Sequence, residues 1–296
     1  MEKQVEEHYA KAGEIAASAL AFGASLIKPG MSMREVLDKV EEKIIASGGN
    51  IAFPAQSAAN HIAAHFCPTD DDDYLYKEGD LVKLDVGVHV EGYVADNALT
   101  VDLGSGTELR KASLDALQAA LTLATPGTKL RELGKAIQEA IESYGYSPIR
   151  NLSGHGLGLF KIHTKPTVPN FDNGDETELQ EDQVIAIEPF ATNGKGMVGE
   201  SANPSIFMLI AQKPVRSSIT RSVLPSILKW KGLPFTTRWV TREHGVGKTS
   251  FALRELMQRG NLQAFAPLPE VAGGLVAQSE KSVIVRDKPY VYTSTT

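Results

Sequence analysis

The sequence predicts an α+β fold in which pairs of helices and runs of strands follow one another in blocks. Three observations carry that expectation. Two stretches of helical apolar spacing open the chain, an alternating run from Leu81 to Leu103 follows with a turn dipeptide at its middle, and a second helical pair comes directly after it. Strands alternating singly with helices would give a parallel sheet, whereas blocks of each give an α+β arrangement.

Residues 5–27 read as the first helix, with Val5, Ala12, Ile15, Ala16, Ala19 and Leu20 in phase. Pro29-Gly30 stops it. Ser32 opens the second helix and Glu35, three residues on, completes a capping box. Val36, Leu37, Val40 and Ile44 form its apolar stripe, which ends at Gly48-Gly49. Residues 51–66 look extended or irregular. Asp70 to Asp73 reads as a solvated acidic loop, because it lacks the spaced ligands and the glycine of a calcium loop. Leu81 to Leu103 alternates, and Glu91-Gly92 folds it into a hairpin. Helices near 107–124 and 128–144 follow, the second with Leu130, Leu133, Ile137 and Ile141 in phase. Val184 to Phe190 and Leu275 to Val285 read as strands. No internal repeat is visible.

Composition narrows the class. The 296 residues are 42% hydrophobic and 22% charged, with a net charge of −6, so core material is ample. No apolar run approaches the ~20 residues of a membrane span. The first ten residues carry Glu2, Glu6 and Glu7 without the apolar segment of a signal peptide, so a cytoplasmic protein with no membrane partner is expected. A single cysteine, Cys67, excludes an internal disulfide and a cysteine-based zinc site, and it reads as a small packed side chain. Ala211 to Gly260 holds ten Lys or Arg against two Glu, which leaves the rest of the chain strongly acidic. Gly245 to Ser250 looks superficially like a phosphate-binding loop, but Arg242 stands where that motif needs a glycine. No DNA partner is expected.

Chemistry concentrates at a few polar residues in apolar surroundings. If Glu91-Gly92 is a two-residue turn, Asp85 lies opposite Ala98 and diagonal to Asp96, on one face of the hairpin. Two carboxylates there repel and lose hydration, and a divalent cation between them removes both penalties. Two unrelated surface acids are the alternative. Gly154-His155-Gly156 presents an imidazole between glycines that permit close approach, either as a ligand or as a structural histidine. His163 follows eight residues on, and His65 sits in an apolar setting. Glu188 lies in the apolar run from Val184, and Glu280 shares a strand face with Val276, Gln278, Ser282 and Ile284. Buried ionised glutamate is rare unless it is paired or metal-bound. Together Asp85, Asp96, His155, Glu188 and Glu280 make four carboxylates and one imidazole. Such a set suits two divalent cations bridged by carboxylates, with Mn, Fe, Co and Zn all compatible.

These five residues, with Lys83-Leu84-Asp85-Val86-Gly87, Gly154-His155-Gly156, Ile187-Glu188-Pro189 and Gln278-Ser279-Glu280 around them, resemble the metal site of the methionine aminopeptidases. That family has the pita-bread fold shared with prolidase and aminopeptidase P. The resemblance runs over roughly residues 5–292. A segment at about 205–265, and Leu233 to Trp239 within it, resembles the helical insertion of the type 2 class. The chain lacks the long charged N-terminal extension of eukaryotic members and so looks most like the archaeal form.

The resemblance implies one pita-bread metallopeptidase domain over 1–296 with a helical, basic insertion. It implies a monomeric two-metal aminopeptidase that removes the first methionine from peptides and nascent chains and favours a small second residue. Asp85 and Glu280 would hold the first metal, Asp96 and Glu280 would bridge, and His155 and Glu188 would complete the second. Glu188 would also shuttle the proton. His65 and His163 match positions that contact the peptide, and Phe53, Ile162, Phe265 and Leu268 match the lining of the methionine pocket. The departures are His163-Thr164-Lys165 where the family has His-Ala-Gly, Ser279 for an aromatic, Lys281-Ser282 for His-Thr, and Phe265 for a tyrosine. Two other functions remain beside this one: an Xaa-Pro peptidase of the same fold, and a non-catalytic peptide- or RNA-binding protein. The basic stretch reads either as a solvated face or as a surface that docks on ribosomal RNA.

Overall fold

The computed structural model describes residues 1–104, 106–201 and 203–294. Helices α1 (Lys3–Leu26) and α2 (Met33–Ala46) lead into β1 (Asn50–Ala59), β2 (Leu81–Val90) and β3 (Tyr93–Asp102). Helices α3 (Thr107–Thr122) and α4 (Leu130–Ser143) precede β4 (Ser147–Pro148), β5 (Ser153–Gly158), β6 (Lys161–Pro169), β7 (Val184–Ile187) and β8 (Phe190–Thr192). The segment that follows holds β9 (Ile206–Leu209), α5 (Ser218–Leu228), β10 (Phe235–Thr236), α6 (Thr237–His244), α7 (Val246–Gln258) and β11 (Leu262–Phe265). The chain closes with β12 (Val276–Gln278), β13 (Lys281–Ile284) and β14 (Tyr290–Val291).

The early elements form for the reasons read from sequence. The Ser32 hydroxyl caps α2 by accepting the Glu35 N–H, which is the one half of the expected capping box that forms. Glu91 and Gly92 both take positive φ, 52° and 91°, as a two-residue hairpin turn requires. Residues 51–66, which looked extended or irregular, are both: β1 runs to Ala59 and pairs with β2, and a loop follows. The hairpin β5–β6 had no counterpart in the sequence reading.

Two helix pairs each cover a sheet. α1 and α2 pack Ile15, Leu20, Val36, Leu37 and Val40 against Leu84, Val86 and Val88 of the sheet β1-β2-β3. α3 and α4 pack Leu117, Leu133, Ile137 and Ile141 against Ile185, Ile187 and Val283 of the sheet β14-β13-β7-β5-β6. A small sheet, β12-β8-β4, lies beside them. Residues 205–265 carry a core of their own, with Phe207, Val223, Ile227, Phe235, Leu253 and Leu256. Their three helices rest on a three-stranded sheet, β10-β9-β11, that sequence reading did not anticipate. Among the described residues no helix is long and apolar enough to cross a membrane. Asp70 of the acidic loop pairs with Arg242. Cys67 is buried, and burial pushes its thiol up to about 11.

Candidate metal centre and substrate cavity

Separate strands deliver the sequence-predicted acids to one place. The β2–β3 register pairs Asp85 with Ala98 and Gly87 with Asp96, so both aspartates leave the same face, as the hairpin arithmetic required. The expected continuous strand from Leu275 to Val285 is instead split. β12 pairs with β8 whereas β13 pairs with β7, and Ser279-Glu280 is the crossover between two sheets. Glu280 therefore does not share one unbroken strand face with Val276 and Ile284. Glu188 sits at the matching break between β7 and β8, where Pro189 has no N–H to extend a ladder. Each glutamate thus projects from a gap between sheets rather than from a strand interior.

Hydroxyl groups lock this junction. Ser282 Oγ accepts the Asp96 N–H at 2.9 Å and donates to the Asp96 carbonyl at 2.8 Å. Thr100 Oγ1 bridges Gln278 in the same way, accepting its N–H at 2.8 Å and donating to its carbonyl at 2.7 Å. The Glu280 N–H donates to the Ala98 carbonyl at 2.9 Å. His155 reaches the cluster from β5 because its glycine neighbours let three strands close up. A Cβ on Gly154 would lie 2.2 Å from the Ala186 carbonyl oxygen, and one on Gly156 would lie 2.1 Å from that of Lys165. The β5–β6 register shifts immediately after His155, a bulge that re-aims the side chain.

Asp96, His155 and Glu280 each offer a ligand atom, and these atoms lie within 4.8 Å of one another. His155 Nε2 is 3.6 Å from Asp96 Oδ2 and 3.7 Å from Glu188 Oε1. Burial drives the His155 pKa down to about 3, so the ring is neutral and these contacts are not ion pairs. Its Nδ1–H donates to the Gly156 carbonyl at 3.3 Å, which leaves the lone pair on Nε2 facing the carboxylates. Burial raises Asp85 to about 7. Burial first, then mutual repulsion, raises Asp96, Glu188 and Glu280 well above the usual carboxylate range. Asp85 Oδ1 and Asp96 Oδ1 are buried without a hydrogen-bond partner. Repelling, orphaned carboxylate oxygens beside a neutral imidazole lone pair fit divalent cations, which relieve every one of these penalties.

The five residues line a cavity of about 60 Å³ together with Phe53, Gln56, Ala64, His65, Ile162, His163, Ile206, Pro234 and Phe265. That is room for several water-sized species. Phe265 stands between two imidazoles, with ring centroids 5.5 Å from His65 and 5.9 Å from His163. His163, a partly solvent-open member of the lining, meets His155 edge-on with ring centroids 4.6 Å apart. Burial lowers His65 to about 4, and its backbone adopts φ 61°, a conformation side chains usually avoid. Leu268 lines a neighbouring pocket with His65 and Phe265. Sequence reasoning missed Gln56, Ile206 and Pro234. Gln56 pairs with Asp85 in the β1–β2 register, so an earlier recognition of β1 would have found it. Ile206 and Pro234 carry no signal that separates them from ordinary core.

The profile of "Metallopeptidase family M24" matches residues 7–208, and the chain belongs to that family. Methionine aminopeptidase of Archaeoglobus fulgidus is 43% identical over 288 residues, which cover 97% of each chain. That of Thermococcus onnurineus is 44% identical over 288 residues, covering 96% of this chain and 97% of its own. Within the family, then, this chain is one of the methionine aminopeptidases, a hydrolase. The fold is that of the Thermotoga maritima methionine aminopeptidase structure, with a TM-score of 0.74 at 22% identity over all of this chain and 98% of that one.

Proposed function

We propose that this chain works in the cytoplasm as a monomer, removing the N-terminal methionine from peptides and nascent chains with two divalent cations, and that it favours a small second residue. The observation that carries the reading is the convergence of Asp85, Asp96, His155, Glu188 and Glu280 on one cavity whose other wall is apolar and aromatic. Asp85 and Glu280 would hold one ion, Asp96 and Glu280 would bridge, and His155 and Glu188 would complete the other. When bound, the ions supply Lewis acidity and a water acidic enough to attack near neutral pH.

The rest falls to side chains. Glu188, at the cavity edge, accepts the proton of the attacking water and passes it to the leaving amine. His65 and His163 donate hydrogen bonds to the negative charge that develops on the substrate carbonyl oxygen. Phe53, Ile162 and Phe265, joined by Ile206 and Pro234, bury an unbranched side chain, a gain of ~2 kcal/mol. Leu268 would close this lining from the adjoining pocket. The deciding measurement is methionine release from Met-Ala-Ser after chelation and re-addition of Mn²⁺, Co²⁺, Fe²⁺ or Zn²⁺, with Ala-Pro-Ser in parallel. Release from Met-Ala-Ser alone, lost on chelation and restored by metal, is expected. Cleavage of the Xaa-Pro substrate instead, or of neither, overturns the reading.

The basic segment supports a narrower partner assignment, docking on ribosomal RNA where chains emerge. Lys213, Arg216, Arg221, Lys248 and Arg254 are exposed and offer charge that phosphates attract without regard to sequence. Part of the surplus is spent inside the protein, since Arg238 and Arg242 pair with Asp38, Glu41 and Asp70. Co-sedimentation with ribosomes that weakens as salt rises is the expected result; absent or salt-insensitive binding leaves a merely solvated basic face.

A further inference from the structure

The 205–265 segment enters the cavity through Ile206, Pro234 and Phe265. The ligand set gives no reason for Arg238, which is the largest fully buried side chain among the described residues. Its Nη2 donates to Glu41 Oε1 at 2.9 Å. Its Nη1 donates to the Pro68 carbonyl at 3.2 Å and to Cys67 Sγ at 3.4 Å. Its Nε lies 3.1 Å from Asp38 Oδ1, an ion pair without hydrogen-bond alignment.

Each partner leads to a different wall of the cavity. Glu41 Oε1 also accepts the Ala55 N–H at 3.2 Å, and Ala55 lies on β1 between Phe53 and Gln56. Glu41 Oε2 accepts the Trp239 indole N–H at 2.9 Å, so the carboxylate holds the segment by two bonds and β1 by one. Cys67 and Pro68 follow His65 in its loop, and the Ser205 hydroxyl donates to the Cys67 carbonyl. Arg238 itself follows Pro234, across β10, at the start of α6. One guanidinium therefore meets the loop that holds His65, the helix that steadies Phe53 and the segment that brings Pro234. The planar fork of arginine suits this task, since it fixes several acceptors at set angles, whereas a lysine ammonium offers a point charge.

We propose that Arg238 is a positioning residue that sets the width of the side-chain cavity and thereby the preference for a long unbranched side chain. The inference rests on the peptidase reading above. The test compares Arg238→Lys and Trp239→Phe with the parent in four readouts: kcat and KM for Met-Ala-Ser and for Leu-Ala-Ser, metal content, and the His65 ring resonances by NMR. Arg238→Lys is expected to raise KM for Met-Ala-Ser about tenfold while kcat changes less than about threefold. The preference for Met over Leu narrows, metal content stays at the parent value, and the His65 resonances move. Trp239→Phe shifts the same quantities in the same direction by less.

If Arg238→Lys does not fold, Arg238→Met with Glu41→Gln carries the same readings, because it leaves neither member of that pair charged and alone. A folded variant with parental KM, parental preference and unmoved His65 resonances overturns the proposal. So does a fall of kcat and metal content together at constant KM, which marks a merely structural role. A parent that releases no methionine overturns the peptidase reading instead, and the His65 resonances then judge Arg238 by themselves.

Discussion

Asp96 and Glu280 stand on backbone that is cross-tied by Ser282, Thr100 and Ala98, every tie between 2.7 and 2.9 Å. Phe265 and Pro234 face them across the same cavity but arrive on a segment with its own core, anchored to the body by side chains. One wall is set by sheet geometry and repels itself, and the other is set by docking and carries no carboxylate. The ligand wall should therefore fail in an all-or-none way, through charge, while the side-chain wall should fail by degrees, through fit. Four substitutions and one titration probe that contrast.

The largest effect belongs to Asp96→Ala. It removes the proposed bridging oxygens, so metal content should fall and methionine release should drop to the detection limit; retained metal at the parent level would break the assignment. The same wall makes stability depend on pH in the chelated protein. Asp85 has its folded pKa raised from near 3.8 to about 7, and its three carboxylate neighbours are raised as well. A raised carboxylate contributes stability that is complete below its unfolded pKa and is lost as pH rises through the folded value. Ionising this interacting cluster therefore destabilises the chelated protein as pH rises toward and past 7. Thermal unfolding should show chelated protein losing stability from pH 4 through 7, and added divalent metal, which binds the ionised carboxylates and so displaces their protons, should reverse the slope.

Next comes His163→Ala. His163 lies on the open side of the cavity and is not among the proposed ligands, so metal content should persist while kcat falls about 10²–10³-fold, the worth of one donor to developing negative charge. Turnover of Met-Ala-Ser at the parental rate would remove His163 from the mechanism. A smaller loss is expected of Ser282→Ala, which breaks both ties to the Asp96 backbone but leaves every carboxylate in place. Metal affinity should weaken about 10–100-fold, the usual cost of an orienting partner. An unchanged affinity in a metal titration would mean that Ala98 and Thr100 hold the junction alone.

The two walls also differ in how far they could be read from sequence. An acid within an apolar run is a contradiction, and contradictions are legible: Asp85, Asp96, Glu188 and Glu280 all stood out on that ground. The hairpin register followed from the Glu91-Gly92 turn, since side-chain alternation and turn length together fix which residues face each other. The break at Ser279-Glu280 was hidden because both halves of the run remain extended and apolar; only the change of pairing partner reveals it. β5 and β6 were hidden too, since glycines and a bulge around His155 blur their alternation. Ile206 and Pro234 are apolar residues among many, and Phe265 was reached through family resemblance rather than through any periodicity. Long-range docking leaves no local pattern, so the Arg238–Glu41 pair, 197 residues apart, was invisible as well.

The most modest effect, and the one that sharpens the contrast most, is that of Phe265→Ala. Phe265 touches both His65 and His163 with its ring and forms part of the cavity lining, yet it keeps some surface open to solvent. Removing the ring takes away apolar contact with a bound side chain, and it takes away no charge and no ligand. A partial loss of apolar burial, a little over 1 kcal/mol, corresponds to about a tenfold rise in KM. Metal content should not change, because no carboxylate loses a partner. If kcat falls as far as in His163→Ala, the ring is holding the imidazoles rather than the substrate, and the side-chain wall shares the all-or-none character of the ligand wall. If KM alone rises, the two walls are separable, and selectivity can be altered from the 205–265 segment without disturbing the metal site.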